Sequence, residues 1–372
     1  MRVLRIDANS PHQQLVGVGG IGTGIFFQLE GNHTLGREES RLGRLLEVRD
    51  YCKLHIIIHY VAKLLGARAS GTPFHVVPLG NVGDDPPGRQ VLQEMSGTGI
   101  DTKRVRTLKG KPTLFSVCFQ YPDGKGGNIT TSNSAAAALT ANDLDGANAI
   151  LASRGKRRVA LAAPEVPLDA RRQFLALATD AGAFRAASFV SAEVKPARES
   201  GMFELLDLVS LNEEEASELV GCHLAANEPE KFLDACLEFL GETYPRLRMV
   251  VTAGERGAYA LADGICHHCP APKVEVASTA GAGDALLGGV IAALAAGIPL
   301  LRKKSPPDMT AGRPLETALD FAVLLASYKC LSPHTIHPDA CLDTLIEFAR
   351  GLGLSFSPQI EQLFTEALAA QP

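Results

Sequence analysis

Short apolar runs alternate with helix-period segments along most of this chain, and that rhythm limits its fold more than any other feature. FHVVPLG (74–80), RRVALAA (157–163), LLDLVSL (205–211) and RMVVTAG (248–254) are too short for buried helices and read as buried strands. QVLQEMSGTG, LDARRQFLALATDAG, EEEASELVG and PEKFLDACLEFL carry apolar residues at helical spacing, three of them ending on a glycine. Such alternation predicts an α/β fold with a mainly parallel central sheet and helices on both faces. A length of 372 residues fits one large domain with a smaller appendage, or two domains; one domain over 1–372 is the expectation.

Two segments depart from the rhythm. Residues 12–50 hold the strand-like IFFQLEG and the Arg-rich GREESRLGRLLEVRD, and residues 111–133 hold two β-rich runs around the turn PDGKGG. Together they predict a small antiparallel sheet standing off the main domain. RKKSPPDMTAGRP (302–314) is basic and Pro-rich and reads as a surface loop between two helices.

A net charge of −5 argues against a nucleic-acid partner, which needs a basic surface. No 18-residue apolar run and no signal peptide are visible, so a cytoplasmic location with no membrane contact is expected. Most of the eight cysteines stand singly in apolar segments. Cys266-His267-His268-Cys269 has no second ligand pair downstream, and its two adjacent histidines would face opposite sides of a strand. A strand is the expectation there, not a zinc site.

Gly17, Gly19 and Gly22 have the G-x-G-x-x-G spacing of a dinucleotide turn. Such a turn must pass from a strand into a helix, with an acid about 20 residues later. Here the glycines run into Ile25-Phe26-Phe27-Gln28-Leu29-Glu30, another strand, so an NAD-dependent oxidoreductase rests on spacing alone.

VEVASTAGAGDALLGGVIAALAAGIP is the most informative stretch. A strand at Val274–Ala277 leads into Gly281-Ala282-Gly283-Asp284 and then a helix stopped by Gly297 and Pro299. Unpaired N–H groups and the helix dipole make such a turn an anion site. Asp284 at that spot fits a base for an attacking hydroxyl, or equally a helix N-cap.

The stretch resembles the D-T-x-G-A-G-D signature of the ribokinase-like (PfkB) carbohydrate kinases. Further landmarks follow in order: PLGNVGDDPPGRQVLQEMSGTGIDT (78–102), Lys111-Pro112-Thr113, Asn212-Glu213-Glu214-Glu215 as N-x-x-E, and Thr252-Ala253-Gly254-Glu255-Arg256-Gly257 as T-x-G-x-x-G. The resemblance covers about residues 15–340 and implies a ribokinase-like three-layer fold with a β-sheet lid. It implies an ATP-dependent kinase acting on a hydroxyl of a small sugar, polyol or nucleoside-like substrate, with family members often dimerising through the lid. Asp284 would be the base, and the N–H groups of Gly281, Ala282 and Gly283 would hold the transferring phosphoryl group. Asn212 and Glu215 would organise Mg²⁺ and its waters, while Thr252, Gly254 and Gly257 would line the nucleotide.

Departures cluster on the substrate side. The family's Asp near the first strand is absent from Gly22-Thr23-Gly24, and its glycine turn is replaced by Cys52-Lys53-Leu54-His55-Ile56-Ile57. Gly24, Lys53, His55, Asn128 and Asn133 are the substrate-contact candidates; a solvated lysine, a packed histidine and polar loop residues explain them as well. Ser278 replaces the Asp that helps bind an activating monovalent cation, which puts K⁺ dependence in doubt. These losses leave open a second class of function, a ribokinase-fold protein that binds a ligand with little or no turnover.

Overall fold

A computed structural model describes residues 1–70, 72–123, 126–152, 157–222, 229–302 and 314–367. The chain begins β1 (Arg2–Leu4), β2 (Gln14–Val18), β3 (Gly22–Leu29), β4 (Gly43–Tyr51), α1 (Lys53–Leu65), β5 (His75–Gly83) and α2 (Pro86–Gly97). It continues β6 (Val105–Leu108), β7 (Leu114–Gln120), β8 (Gly126–Thr130), α3 (Asp145–Leu151), β9 (Arg158–Ala162), α4 (Leu168–Asp180), β10 (Phe184–Ser188) and α5 (Ser191–Glu199). Next come β11 (Leu208–Asn212), α6 (Glu213–Val220), α7 (Pro229–Thr243), β12 (Arg248–Thr252), β13 (Ala258–Ala262) and β14 (Ile265–Cys269). The last elements are α8 (Ala282–Ala296), α9 (Ala318–Lys329), α10 (Leu342–Gly351), α11 (Pro358–Glu361) and β15 (Phe364–Glu366), which pairs with β1.

The central sheet has the order β14-β13-β12-β11-β10-β9-β2-β5-β6. Its pairs from β12 through β6 are parallel, and β13 alone runs against its neighbours. Side chains alternate between two cores. Leu15, Leu208 and Val250 pack with α1, α2 and α8–α11, whereas Val16, Val209 and Val251 pack with α3–α7. Burial on both faces is why these strands read as continuous apolar runs rather than as alternating patterns.

β2 enters mid-sheet, with β5 and β6 added on one side and β9 to β12 on the other. The crevice at the carboxyl ends beside β2 is where such sheets bind ligands. α8 is buried nearly all round, and its glycines set how near its neighbours come. A Cβ at Gly288 would lie 2.8 Å from the Ile57 carbonyl oxygen of α1, and one at Gly289 would lie 2.9 Å from Ala322 Cα of α9. This close packing holds the N-terminus of α8 beside that of α1.

The lid is a four-stranded sheet, β4-β3-β7-β8. Its outer pairs are antiparallel, but β3 and β7 are parallel, unlike the wholly antiparallel sheet expected. β3 follows β2 and β7 follows β6, and β2 and β6 run the same way, so both lid strands leave in one direction. The lid also begins at Gly22 rather than at residue 12, because Gln14–Val18 belongs to the main sheet. The glycines of the apparent dinucleotide turn therefore lead from one strand into another.

One expected strand is absent. Val274–Ala277 is irregular, with Val276 and Ala277 exposed; β14 already forms the sheet edge, and Ala277 N–H donates to the Cys330 carbonyl at 2.8 Å instead. Cys266 to Cys269 lie along β14, where His267 turns in to Asp320 (3.3 Å) and His268 bonds the Arg256 carbonyl (2.8 Å). Of the expected 302–314 loop, residues 303–313 lie outside the described residues. No helix among the described residues is long and apolar enough to cross a membrane.

Candidate active site

The first turn of α8 opens into the crevice. Gly281 is its N-cap in the left-handed region (φ 79°), and a Cβ there would come within 2.6 Å of the Thr335 carbonyl oxygen. A Cβ at Gly283 would meet nothing within 4 Å, so that backbone can be closely approached. Ala282 differs from expectation: its N–H donates to the Thr279 carbonyl at 3.0 Å, closing the turn rather than facing a ligand. Asp284 lies in the same turn, 9% exposed, with its Oδ2 3.8 Å from Lys53 Nζ. Burial raises the Asp284 pKa and the Lys53 ammonium opposes that rise.

Lys53 is the first residue of α1, so sequence distance from residue 284 is bridged by the packing of two helix starts. Asp284, then Glu165 and Glu215, raise the Lys53 pKa against the cost of burial, which keeps it an ammonium. Cys52, the N-cap, offers the helix no side-chain bond. Glu165 fills that role from the turn after β9, its Oε2 accepting from Lys53 N–H at 3.1 Å. Glu165 has φ 73°, unusual for a side-chain-bearing residue, and burial pushes its carboxyl up to about 7. Its signal in the sequence, an acid in the turn Ala163-Pro164-Glu165-Val166-Pro167, went unused.

His55 does not reach this cluster. Two residues past Lys53 on a helix is a rotation of about 200°, which turns it away. It is 1% exposed, packed edge-on to Tyr51, with neither ring nitrogen bonded and its pKa driven well down by burial. Its packed reading holds.

Asn212 ends β11 and caps α6. Its Oδ1 accepts from Glu215 N–H (2.8 Å), while Glu215 Oε2 accepts from Asn212 N–H (2.9 Å). The pair thus forms a helix-capping box. Glu215 is nonetheless 8% exposed and in the field of Lys53 and Asp284, with burial raising its pKa. Thr252 ends β12 directly opposite Asn212, so the Gly254 and Gly257 loop adjoins the same end of the sheet. Both glycines have positive φ (56° and 92°), and a Cβ on Gly257 would overlap the Cys269 carbonyl.

Across the crevice, one face of the lid carries Gly24, Asp50, Cys118 and Asn128: the register pairs Gly24 with Asp50 and Ser116, and Cys118 with Asn128 two residues further along. A Cβ at Gly24 would overlap Asp50 Oδ2, so the missing side chain at 24 makes room for the carboxylate at 50. Asp50 is 6% exposed, accepts a bond from the Cys118 thiol (3.4 Å), and is pushed up to about 6 by burial. Thr335 stitches this strand end to the α8 turn: it bonds Arg49 O and Tyr51 N–H while its carbonyl lies against Gly281. Asp50 had no local signal, being one acid in an exposed strand. Asn128 is exposed on β8, and Asn133 is exposed in the turn beyond it, outside the cluster.

A helix N-terminus with a buried acid, at the carboxyl end of a doubly wound sheet under a β lid, defines a phosphoryl-transfer fold of the ribokinase-like class. The family model described as pfkB family carbohydrate kinase matches residues 59–340, and the chain belongs to that family. Among solved structures it is similar to ribokinase from Cryptococcus neoformans var. grubii serotype A in complex with ADP (TM-score 0.70, 19% identity, 90% of this chain and 99% of that one). It is also similar to a putative Ribokinase II from E. coli in complex with ATP and Mg²⁺ (TM-score 0.67, 17% identity, 91% and 99%). A third is Arabidopsis thaliana ribokinase complexed with ribose and ATP (TM-score 0.63, 19% identity, 92% and 100%).

Proposed function

We propose that this carbohydrate kinase moves the γ-phosphoryl group of ATP to a hydroxyl of a small sugar, polyol or nucleoside-like substrate. The observation that carries this reading is Asp284, a buried acid in the first turn of α8 held 3.8 Å from an ammonium. Asp284 takes the hydroxyl proton as the substrate oxygen forms its bond to the γ-phosphorus. The bond from that phosphorus to the bridging oxygen of ADP breaks, and the freed electron pair stays on ADP. Main-chain N–H groups of Gly281 and Gly283 hold the charge on the group in flight, which is most of the catalytic work in such transfers.

The nucleotide lies along Thr252, Gly254 and Gly257 in this reading. Glu215 spends one oxygen on the Asn212 N–H and Asn212 spends its Oδ1 on the cap, so the two fit water-mediated support of Mg²⁺ rather than direct ligation. Bound Mg²⁺ supplies charge neutralisation to the phosphates. Phosphate transfer from ATP across a panel of sugars, polyols and nucleosides tests the proposal. ATP binding without turnover on any of them would favour a ligand-binding role instead.

On the acceptor side, Asp50 occupies the space that Gly24 leaves and receives substrate hydroxyls there. Asp50→Asn keeps the shape and removes the charge-assisted bonds, so kcat/KM should fall about 10- to 100-fold, chiefly through KM. Steady-state kinetics in which KM stays at the wild-type value would reject Asp50 as a substrate contact.

The opposite lid face exposes Leu45 (58%) and Ile129 (67%) beside the half-buried Ile25, Phe27 and Val117. A second copy of the chain covers this face in the proposed homodimer. Sedimentation velocity should show a dimer that Leu45→Asp plus Ile129→Asp converts to monomer; a monomeric wild type refutes it.

A further inference from the structure

Lys329 is the last residue of α9 and is fully buried. Its Nζ donates to the Ser278 carbonyl oxygen at 2.9 Å, immediately before the turn that carries Asp284. Among the described residues no carboxylate stands within ion-pair distance of this ammonium. The main chain around it is closed: Ala277 and Ser278 both donate to the Cys330 carbonyl, at 2.8 and 3.3 Å, and Ser332 N–H donates to the Lys329 carbonyl at 3.0 Å. Ser278 Oγ is itself used, accepting from Ala280 N–H at 3.2 Å.

Placing an unpaired ammonium in a protein interior is costly, and cores rarely keep one without a task. Burial lowers the Lys329 pKa to about 8, while Cys330, Asp284 and Asp50 act in the other direction. The charge is felt at the base as well, since Lys329 is one of the groups that hold the Asp284 pKa down.

The family resemblance implies a monovalent cation beside this turn, and the residues present do not fit one. Ser278 brings no carboxylate, and its carbonyl oxygen, the natural cation ligand here, is taken by an ammonium that would repel a second positive charge. We infer that Lys329 is a built-in cation, a positioning residue whose ammonium fixes the Ser278 carbonyl and the main chain that runs from it into the Asp284 turn, so that turnover needs no K⁺. This inference rests on the kinase reading for its activity arm only.

The test compares wild type, Lys329→Ala and Lys329→Met in K⁺, NH₄⁺ and choline salts of matched ionic strength. Wild-type activity should be equal in all three. Lys329→Ala should lose on the order of 100-fold in choline, the size of losing one fixed charge near the reacting centre, and recover at least tenfold of it in K⁺ or NH₄⁺. Lys329→Met fills the space without charge and should lose as much with no recovery. Thermal melting gives a readout that needs no substrate: K⁺ should raise the melting temperature of Lys329→Ala and leave wild type unmoved.

Activation of wild type by K⁺, or a Lys329→Ala variant indifferent to K⁺ in both assays, overturns the inference. Should Lys329→Ala not fold, the wild type decides: a K⁺-dependent rate or melting temperature rejects the built-in cation, and independence in both supports it. Wild type inactive on every acceptor fails the kinase reading alone, because the melting arm still reports on Lys329.

Discussion

Asp284→Asn should bind ATP as wild type does and transfer phosphate about 10²- to 10⁴-fold more slowly, the range set by loss of a positioned general base. The amide keeps the size of the carboxyl and can still donate to a phosphoryl oxygen, but it cannot take the proton of the attacking hydroxyl. Lys53 would keep Glu165 and Glu215 as counter-charges, so the ammonium is not stranded by the change. Rapid-quench measurement of one turnover, with a melting curve to show the fold intact, separates lost chemistry from lost structure. Single-turnover rates within a few-fold of wild type would remove Asp284 from the mechanism and with it the main support for the proposed reaction.

Lys53→Met should lower kcat by roughly 10²- to 10³-fold, the scale of deleting one electrostatic group at the reacting centre. Its second effect is on pH. In the proposed reaction Asp284 acts deprotonated, so the rate falls as pH drops through the Asp284 pKa. Burial raises that pKa and Lys53 lowers it. Without the ammonium, only the smaller effect of Lys329 opposes burial, and the acid limb of the pH–rate profile moves to higher pH. Lys53→Arg keeps the charge and should hold the limb near its wild-type position at a reduced rate. A Lys53→Met limb that stays in place, or moves down, means the ammonium does not govern the base.

The α8 turn was legible because its parts are contiguous: glycines, an acid and a helical run can be read in one window. The same holds for the N-x-x-E cap and the glycine loop after β12. Glu165, Asp50 and Lys329 escaped because each reaches the site from elsewhere in the fold. Glu165 comes by way of a left-handed turn, and Asp50 through register with a glycine on another strand. In the sequence Lys329 is only a lone charge in the apolar run FAVLLASYKC. The Val274–Ala277 strand failed for a complementary reason, since alternation at a sheet's end finds no strand to pair with. Likewise the acid missing at Gly24 was real at that position, yet the space it would fill is occupied by a carboxylate from the next strand.

Asp50, Tyr51, Cys52 and Lys53 are consecutive, and within them a lid strand becomes a helix of the main domain. The first of the four fills the space beside Gly24 on the lid, and the last lies 3.8 Å from Asp284. Adding or removing one residue here would rotate the helix start by about 100° and flip the strand end to its other face. The exposed tip between β3 and β4 has no such constraint. Length variation among descendants of this sequence should accumulate at that tip, while the junction keeps its residue count even as its side chains diversify.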